Sequence, residues 1–119
     1  MGSCYGSSGP SSINPETGKP YYFSFPKVTV RDIVNALDAV REHIGIGHID
    51  LLVGASIGGF QALEWSVKCP DLFTKAVYIA TSSRISPWIT AFEESQRMAL
   101  EADPTFRACE SLDGGKKGL

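Results

Sequence analysis

The sequence is short of the residues that most often announce a chemistry. It has two histidines, three cysteines and a net charge of −2. So slight a charge leaves no electrostatic footprint for nucleic acid or an anionic membrane surface. No segment approaches the roughly 20 apolar residues that span a bilayer. Cys4, Cys69 and Cys109 are odd in number and widely spaced, which fits neither a disulfide framework nor a zinc knuckle. Reduced thiols in a cytoplasmic protein with no bound metal are expected. Cys4 sits in a glycine-rich loop, but no histidine is placed to activate it as a nucleophile. Met1 to Pro10 has neither a basic start nor an apolar run, so no signal peptide is expected. With 119 residues the chain has room for one small domain and not for two.

What is present is an alternation of helical and strand patterns. Residues 1–26 hold four of the seven prolines and four of the twelve glycines, and read as one long loop. A loop of that length inside a compact domain is unusual, and is either functional or separated from the element it served. Thr29 then offers an N-cap, with Asp32 completing a capping box and Val28 and Ile33 placed as a hydrophobic staple. Val30, Ile33, Val34, Leu37, Val40 and Ile44 recur at helical spacing and predict a buried face. Gly45 and Gly47 end the helix. Ile49–Val53 reads as a strand buried on both faces. A second helix runs from near Ser56 to Lys68, with Phe60, Leu63 and Val67 on one face and Pro70 as its stop. Ala76–Ala80 is a second buried strand, completing a βαβ unit with parallel strands. Ser86 and Pro87 open a further helix, as N-cap and N1, which runs to about Ala102. Glu110–Leu119 is polar and reads as a solvated tail. Trp65, Tyr78, Trp88 and Phe92 sit at element spacing and read as packing residues. Two strands do not make a stable parallel sheet, so the chain reads as the middle of a larger α/β domain.

Gly54-Ala55-Ser56-Ile57-Gly58 is the one match to G-x-S-x-G in the chain. The pattern alone is weak. Its placement, directly after a buried strand and directly before a helix, is the one a nucleophile elbow requires. In such a turn the serine adopts a strained backbone, and residues two positions away must be small. Gly54 and Gly58 provide that, and Gly59 is expected to let the helix lie close to the strand. Ser56 would then present its hydroxyl at the C-terminal edge of the sheet. The backbone N–H of Ile57 would donate to an oxyanion, aided by the helix dipole. The plain alternative is a glycine-rich turn with Ser56 as an N-cap. A phosphate loop fails on pattern, since neither G-x-x-x-x-G-K-[ST] nor G-x-G-x-x-G occurs, and Gly114–Gly118 follows no strand.

A nucleophilic serine needs a base, and no histidine in the chain is suited to the role. His48 opens the strand that ends near Ser56. Eight residues at about 3.3 Å each put it about 26 Å away, against a hydrogen-bond reach of about 3 Å. His43 ends the preceding helix, on the same wrong side of the sheet. In this architecture the triad runs serine, then Asp or Glu, then His, and no histidine follows Ser56. The second oxyanion donor is expected before Met1. The isolated chain is therefore expected to be inactive.

Several stretches resemble the homoserine O-acetyltransferase family: G-S-C-Y-G-S-S-G-P-S-S-I-N-P (Gly2–Pro15), F-P-K-V-T-V-R-D (Phe25–Asp32), G-A-S-I-G-G-F-Q-A-L-E-W (Gly54–Trp65), I-A-T-S-S-R (Ile79–Arg84) and A-F-E-E-S-Q-R-M-A-L-E-A-D-P (Ala91–Pro104). The resemblance runs through essentially the whole chain. It implies a partial α/β-hydrolase fold: residues 1–85 as the central part of the core and residues 86–119 as the start of a helical lid. It also implies transfer of an acetyl group from acetyl-CoA, a co-substrate, to L-homoserine on the way to methionine. No permanently bound cofactor is implied, and a homodimer of the full-length enzyme is compatible with it. Carried over by position, Ser56 matches the nucleophile and Ile57 the oxyanion donor. The family often reads G-G-S-M-G-G here, so the sequence departs at Ala55 and Ile57; the second departure leaves the backbone donor in place. The family's Asp, His and substrate-binding Arg are expected beyond Leu119. The implied mechanism is ping-pong through an acetyl-serine. An O-succinyltransferase or a serine esterase would carry the same elbow, and a non-catalytic chain is the reading from a different class.

Overall fold

A computed structural model describes residues 6–107. Cys4, Cys109 and the expected tail Glu110–Leu119 lie outside the described residues. The chain divides into two compact units, Val28–Arg84 and the residues on either side of it.

The Val28–Arg84 unit begins with α1 (Val30–His43). Thr29 caps it as the sequence predicts. Its side chain accepts from the Asp32 N–H at 3.2 Å, and the Asp32 carboxylate accepts from the Thr29 N–H at 2.8 Å. Gly45, at φ 77°, takes the left-handed conformation that ends the helix. β1 (Ile49–Ala55) and β2 (Phe73–Ile79) pair in parallel, with α2 (Ile57–Lys68) and a short 3-10 turn at Pro70–Leu72 between them. Both strands outrun their apolar cores. β1 continues through Gly54 and Ala55 because Tyr78 and Ile79 still offer ladder partners. β2 starts at Phe73, so that polar Thr74 and Lys75 lie within the ladder.

Burial differs from the sequence expectation in several places. α2 turns Gly59 and Ala62 fully inward, with Phe60 and Leu63 half-buried and Val67 80% exposed. The elbow leaves no loop between β1 and α2, so the helix starts on top of the sheet and only small residues fit beneath it. The strands are also not buried on both faces. Gly54 is buried beneath α2, whereas Leu51 is 50% and Val53 55% exposed on the opposite face. Among the described residues of this unit, α2 covers one sheet face and α1 packs against α2. On α1 this buries Val34 completely and leaves Leu37, Val40 and Ile44 exposed.

A feature with no apolar signature joins the two helices. Asp38 is buried, and its carboxylate accepts from the Lys68 ammonium at 2.9 Å and from the Arg41 guanidinium at 2.7 Å. Arg41 also donates to the Ile46 carbonyl in the α1–β1 connection. The Lys68 and Arg41 hydrogen bonds hold the Asp38 carboxyl below the usual carboxylate range.

In the flanking unit, the long loop is ordered by its own hydrogen bonds. Ile13 and Pro20 form an antiparallel bridge around a turn in which the Asn14 side chain accepts from the Glu16 N–H at 2.8 Å. The Pro10 carbonyl accepts from the Tyr22 N–H at 2.7 Å. A 3-10 turn follows at Tyr22–Ser24, and Phe23 meets Phe106 edge-on at 5.3 Å. α3 (Pro87–Ala102) has the predicted Ser86 cap, which accepts from the Ile89 N–H at 3.3 Å. α4 (Pro104–Arg107) follows it. Trp88 and Phe92, expected to pack, are exposed, because no residue of α3 is buried.

Candidate active site

The last register pair of the ladder is Ala55 with Ile79. One residue later, Ser56 turns the chain from strand to helix at φ 51° and ψ −119°. A side chain rarely tolerates that region, and surrounding contacts must hold it there. Two of them are backbone hydrogen bonds. The Ser56 N–H donates to the Ile79 carbonyl at 3.0 Å, and the Ser56 carbonyl accepts from the Gly59 N–H at 2.9 Å. An N-cap serine would have extended dihedrals and a side chain bonded to the first helical turn. Ser56 has neither, since its side chain makes no capping bond. The hydroxyl is exposed at the C-terminal edge of the two strands and is not committed to the helix.

Three glycines surround it, with three different roles. A Cβ at Gly54 would lie 2.4 Å from the Gly58 carbonyl oxygen and 2.7 Å from the Ala62 Cβ. Gly54 is thus the floor on which the first turns of α2 rest. A Cβ at Gly58 would meet nothing within 4 Å, so its part is to bring its backbone over Gly54. Gly59 is the close-approach position, but its neighbour is Thr81, just beyond β2, rather than a strand residue. A Cβ there would lie 2.4 to 2.7 Å from three Thr81 side-chain atoms. Further along the same face, the Ser66 hydroxyl bonds the Tyr78 hydroxyl of β2 at 2.5 Å.

Ile57 is the first residue of α2. Its N–H is one of those that an α-helix leaves without an intrahelical partner, at the positive end of the helix dipole. A helix beginning one residue after a nucleophile therefore offers a donor to an oxygen bonded to the atom under attack. Neither histidine joins this group. His48 Nε2 lies 2.8 Å from the Thr74 hydroxyl, at the start of β1 and β2 and so at the other end of the ladder from Ser56. His43 is in the last turn of α1. No cluster of three or more His, Cys, Asp or Glu side chains suited to a metal ion occurs among the described residues, and no helix there is long and apolar enough to cross a membrane.

The sequence motif leaves out two contributors. The Ile79 carbonyl that holds the Ser56 N–H is main chain, which carries no residue signature. Thr81 becomes visible only when β2 is placed beside β1, which brings it onto Gly59.

Comparison with known proteins agrees with this geometry. Residues 1–112 match a family described as the alpha/beta hydrolase fold. The chain is 47% identical over 119 residues to a homoserine O-acetyltransferase of Cyclobacterium marinum, covering all of this chain and 34% of that protein. Among solved structures it resembles homoserine O-acetyltransferase from Bacillus anthracis, with a TM-score of 0.71 and 32% identity over 92% of this chain and 28% of the other. It also resembles esterase E22, with a TM-score of 0.77 and 35% identity over 85% of this chain and 27% of the other. The chain thus spans about a third of the length of the curated relatives it matches.

Proposed function

The chain belongs to the alpha/beta hydrolase fold family, and from that premise we propose that Ser56 is the acyl-carrying nucleophile of a homoserine O-acetyltransferase. The observation that carries this is the coincidence of two independent features at one residue. Ser56 has the strained dihedrals of an elbow with its hydroxyl uncommitted, and it lies within a chain 47% identical throughout to a protein of that name.

In the proposed reaction the Ser56 oxygen attacks the thioester carbonyl carbon of acetyl-CoA, and its proton passes to a general base. Negative charge on the carbonyl oxygen is met by the Ile57 N–H and a second donor. The carbon–sulfur bond breaks, and the CoA sulfur leaves as a thiol with the proton. The hydroxyl of L-homoserine then attacks the acetyl-serine, its proton passes to the base, and Ser56 is restored by reprotonation. The base is not His43 or His48, which lie away from the elbow, so residues 1–119 alone are expected to be inactive. The product would be O-acetylhomoserine, an intermediate toward methionine, made in the cytoplasm without a resident cofactor.

Hydrolysis is the second reading, favoured by the likeness to esterase E22. The two differ in what discharges the acyl group. Incubating the complete protein with acetyl-CoA should release thiol beyond one equivalent per site only when L-homoserine is present, with O-acetylhomoserine as product. Thiol release at the same rate without homoserine, with acetate as product, would overturn the transferase reading. A succinyl-CoA arm reads the donor: turnover confined to it would replace acetyl by succinyl.

A further inference from the structure

The elbow is held by more than its own motif. The chain leaves β2 at Ala80, which takes φ 50°, within a degree of Ser56 at φ 51° on the neighbouring strand. Such a φ is costly for any residue with a Cβ. Two such residues therefore stand side by side, each directly after the last ladder pair, Ala55 with Ile79. The residue before Ala80 supplies the carbonyl that accepts the Ser56 N–H at 3.0 Å. The residue after it, Thr81, packs against Gly59 so closely that not even a methyl group fits between them. Gly59 in turn donates its N–H to the Ser56 carbonyl. The Ile79–Thr81 segment therefore grips the elbow on both sides of the nucleophile.

The Thr81 hydroxyl points to a role of shape rather than bonding. Its Oγ1 is buried and has no hydrogen-bond partner among the described residues. An unpaired buried hydroxyl is destabilising compared with an apolar group of the same outline.

We propose that Thr81 is a positioning residue for the acyl-transfer site. Its branched side chain, swung inward by the Ala80 turn, sets the seat of the first turn of α2 and with it the relation between the Ser56 hydroxyl and the Ile57 N–H. The inference rests on the reading of Ser56 as nucleophile. It predicts that shape at position 81 governs the rate of serine acylation and that the hydroxyl does not.

The test uses the complete protein and a small neutral fluorophosphonate, which labels an activated serine without needing the substrates' binding contacts. Label on Ser56 of the unaltered protein is the precondition. Label on another residue would refute the nucleophile reading itself, independently of the brace. Given label on Ser56, Thr81→Ala should slow labelling at least about tenfold, since small displacements of positioned groups are costly in rate. Its circular dichroism should remain that of a folded protein, and KM for the acyl donor should change less than kcat. Thr81→Val, which keeps the branch and removes the orphan hydroxyl, should restore most of the labelling rate and unfold at an equal or higher temperature. Gly59→Ala should lose labelling, and Gly59→Ala with Thr81→Gly should recover part of it by vacating the space. Thr81→Ala labelling at the unaltered rate would overturn the proposal. So would a folded Thr81→Val as slow as Thr81→Ala, because the hydroxyl would then be the active part. A loss that only tracks the unfolded fraction would overturn it as well.

Discussion

Replacing Gly54 by alanine separates steric from sequence-pattern accounts of the elbow. The added Cβ would lie 2.4 Å from the Gly58 carbonyl oxygen, 2.8 Å from its carbon and 2.7 Å from the Ala62 Cβ. Comfortable carbon contacts lie at about 3.5–4.0 Å, so the start of α2 must retreat by roughly 1 Å. Two of the three atoms are backbone, and no rotamer change relieves them. Overpacking of this kind costs about 1–3 kcal/mol, which should appear as a lower Tm. The retreat also carries the Ile57 N–H away from the position where it meets a developing oxyanion. A misplacement of about 1 Å costs on the order of a hundredfold in rate. Steady-state kinetics of the complete protein should therefore show kcat falling by about that factor, with KM for the acyl donor changing much less. Gly58→Ala is the matched comparison, because a Cβ there meets nothing within 4 Å. Alanine in a helix gains up to about 1 kcal/mol over glycine, so this variant should keep or raise Tm. A folded Gly54→Ala with kcat within about threefold of the unaltered protein would refute the steric argument.

Two further outcomes concern residues away from the elbow. Asp38 has a depressed carboxyl pKa in the folded state, so its ion pairs stabilise the fold above the unfolded value of about 3.9 and fade as pH falls through the lower folded value. The Tm difference between the unaltered protein and Asp38→Asn should thus be largest near neutral pH and shrink below about pH 4; a constant difference down to strong acid would contradict the assignment. Among the described residues, His48→Ala removes a contact with Thr74. It should cost on the order of 1 kcal/mol and leave the pH–rate profile of acyl transfer unchanged; loss of a titrating limb would make His48 part of the catalytic machinery.

The sequence made local features legible and misjudged those that depend on neighbours. Both helix caps lie where the side-chain chemistry puts them, Thr29 with Asp32 and Ser86 with Ile89. The elbow was readable because a glycine-flanked serine between strand and helix has few other uses. The inner face of α2 was not. Periodicity favours large apolar residues, yet a helix with no connecting loop must approach the strands through Ala62 and Ser66, and Thr81 beyond β2 through Gly59. The Asp38–Arg41–Lys68 network leaves no mark in the sequence, because a carboxylate at a helical position reads as surface until a second helix supplies its partner 30 residues away. The exposure of Leu51 and Val53 is not legible for a related reason. Apolar residues in a strand show that a face can be buried, and the residues that cover it must be found elsewhere.

The most direct test is to look for the covalent intermediate. The complete protein would be mixed with acetyl-CoA without homoserine, quenched in acid, digested and analysed by mass spectrometry. The account predicts one acetyl group on the peptide containing Ser56, removed when L-homoserine is added before the quench and absent in Ser56→Ala. An enzyme that turns over acetyl-CoA and homoserine while Ser56 stays unmodified through the pre-steady state, or that keeps its turnover in Ser56→Ala, would contradict it.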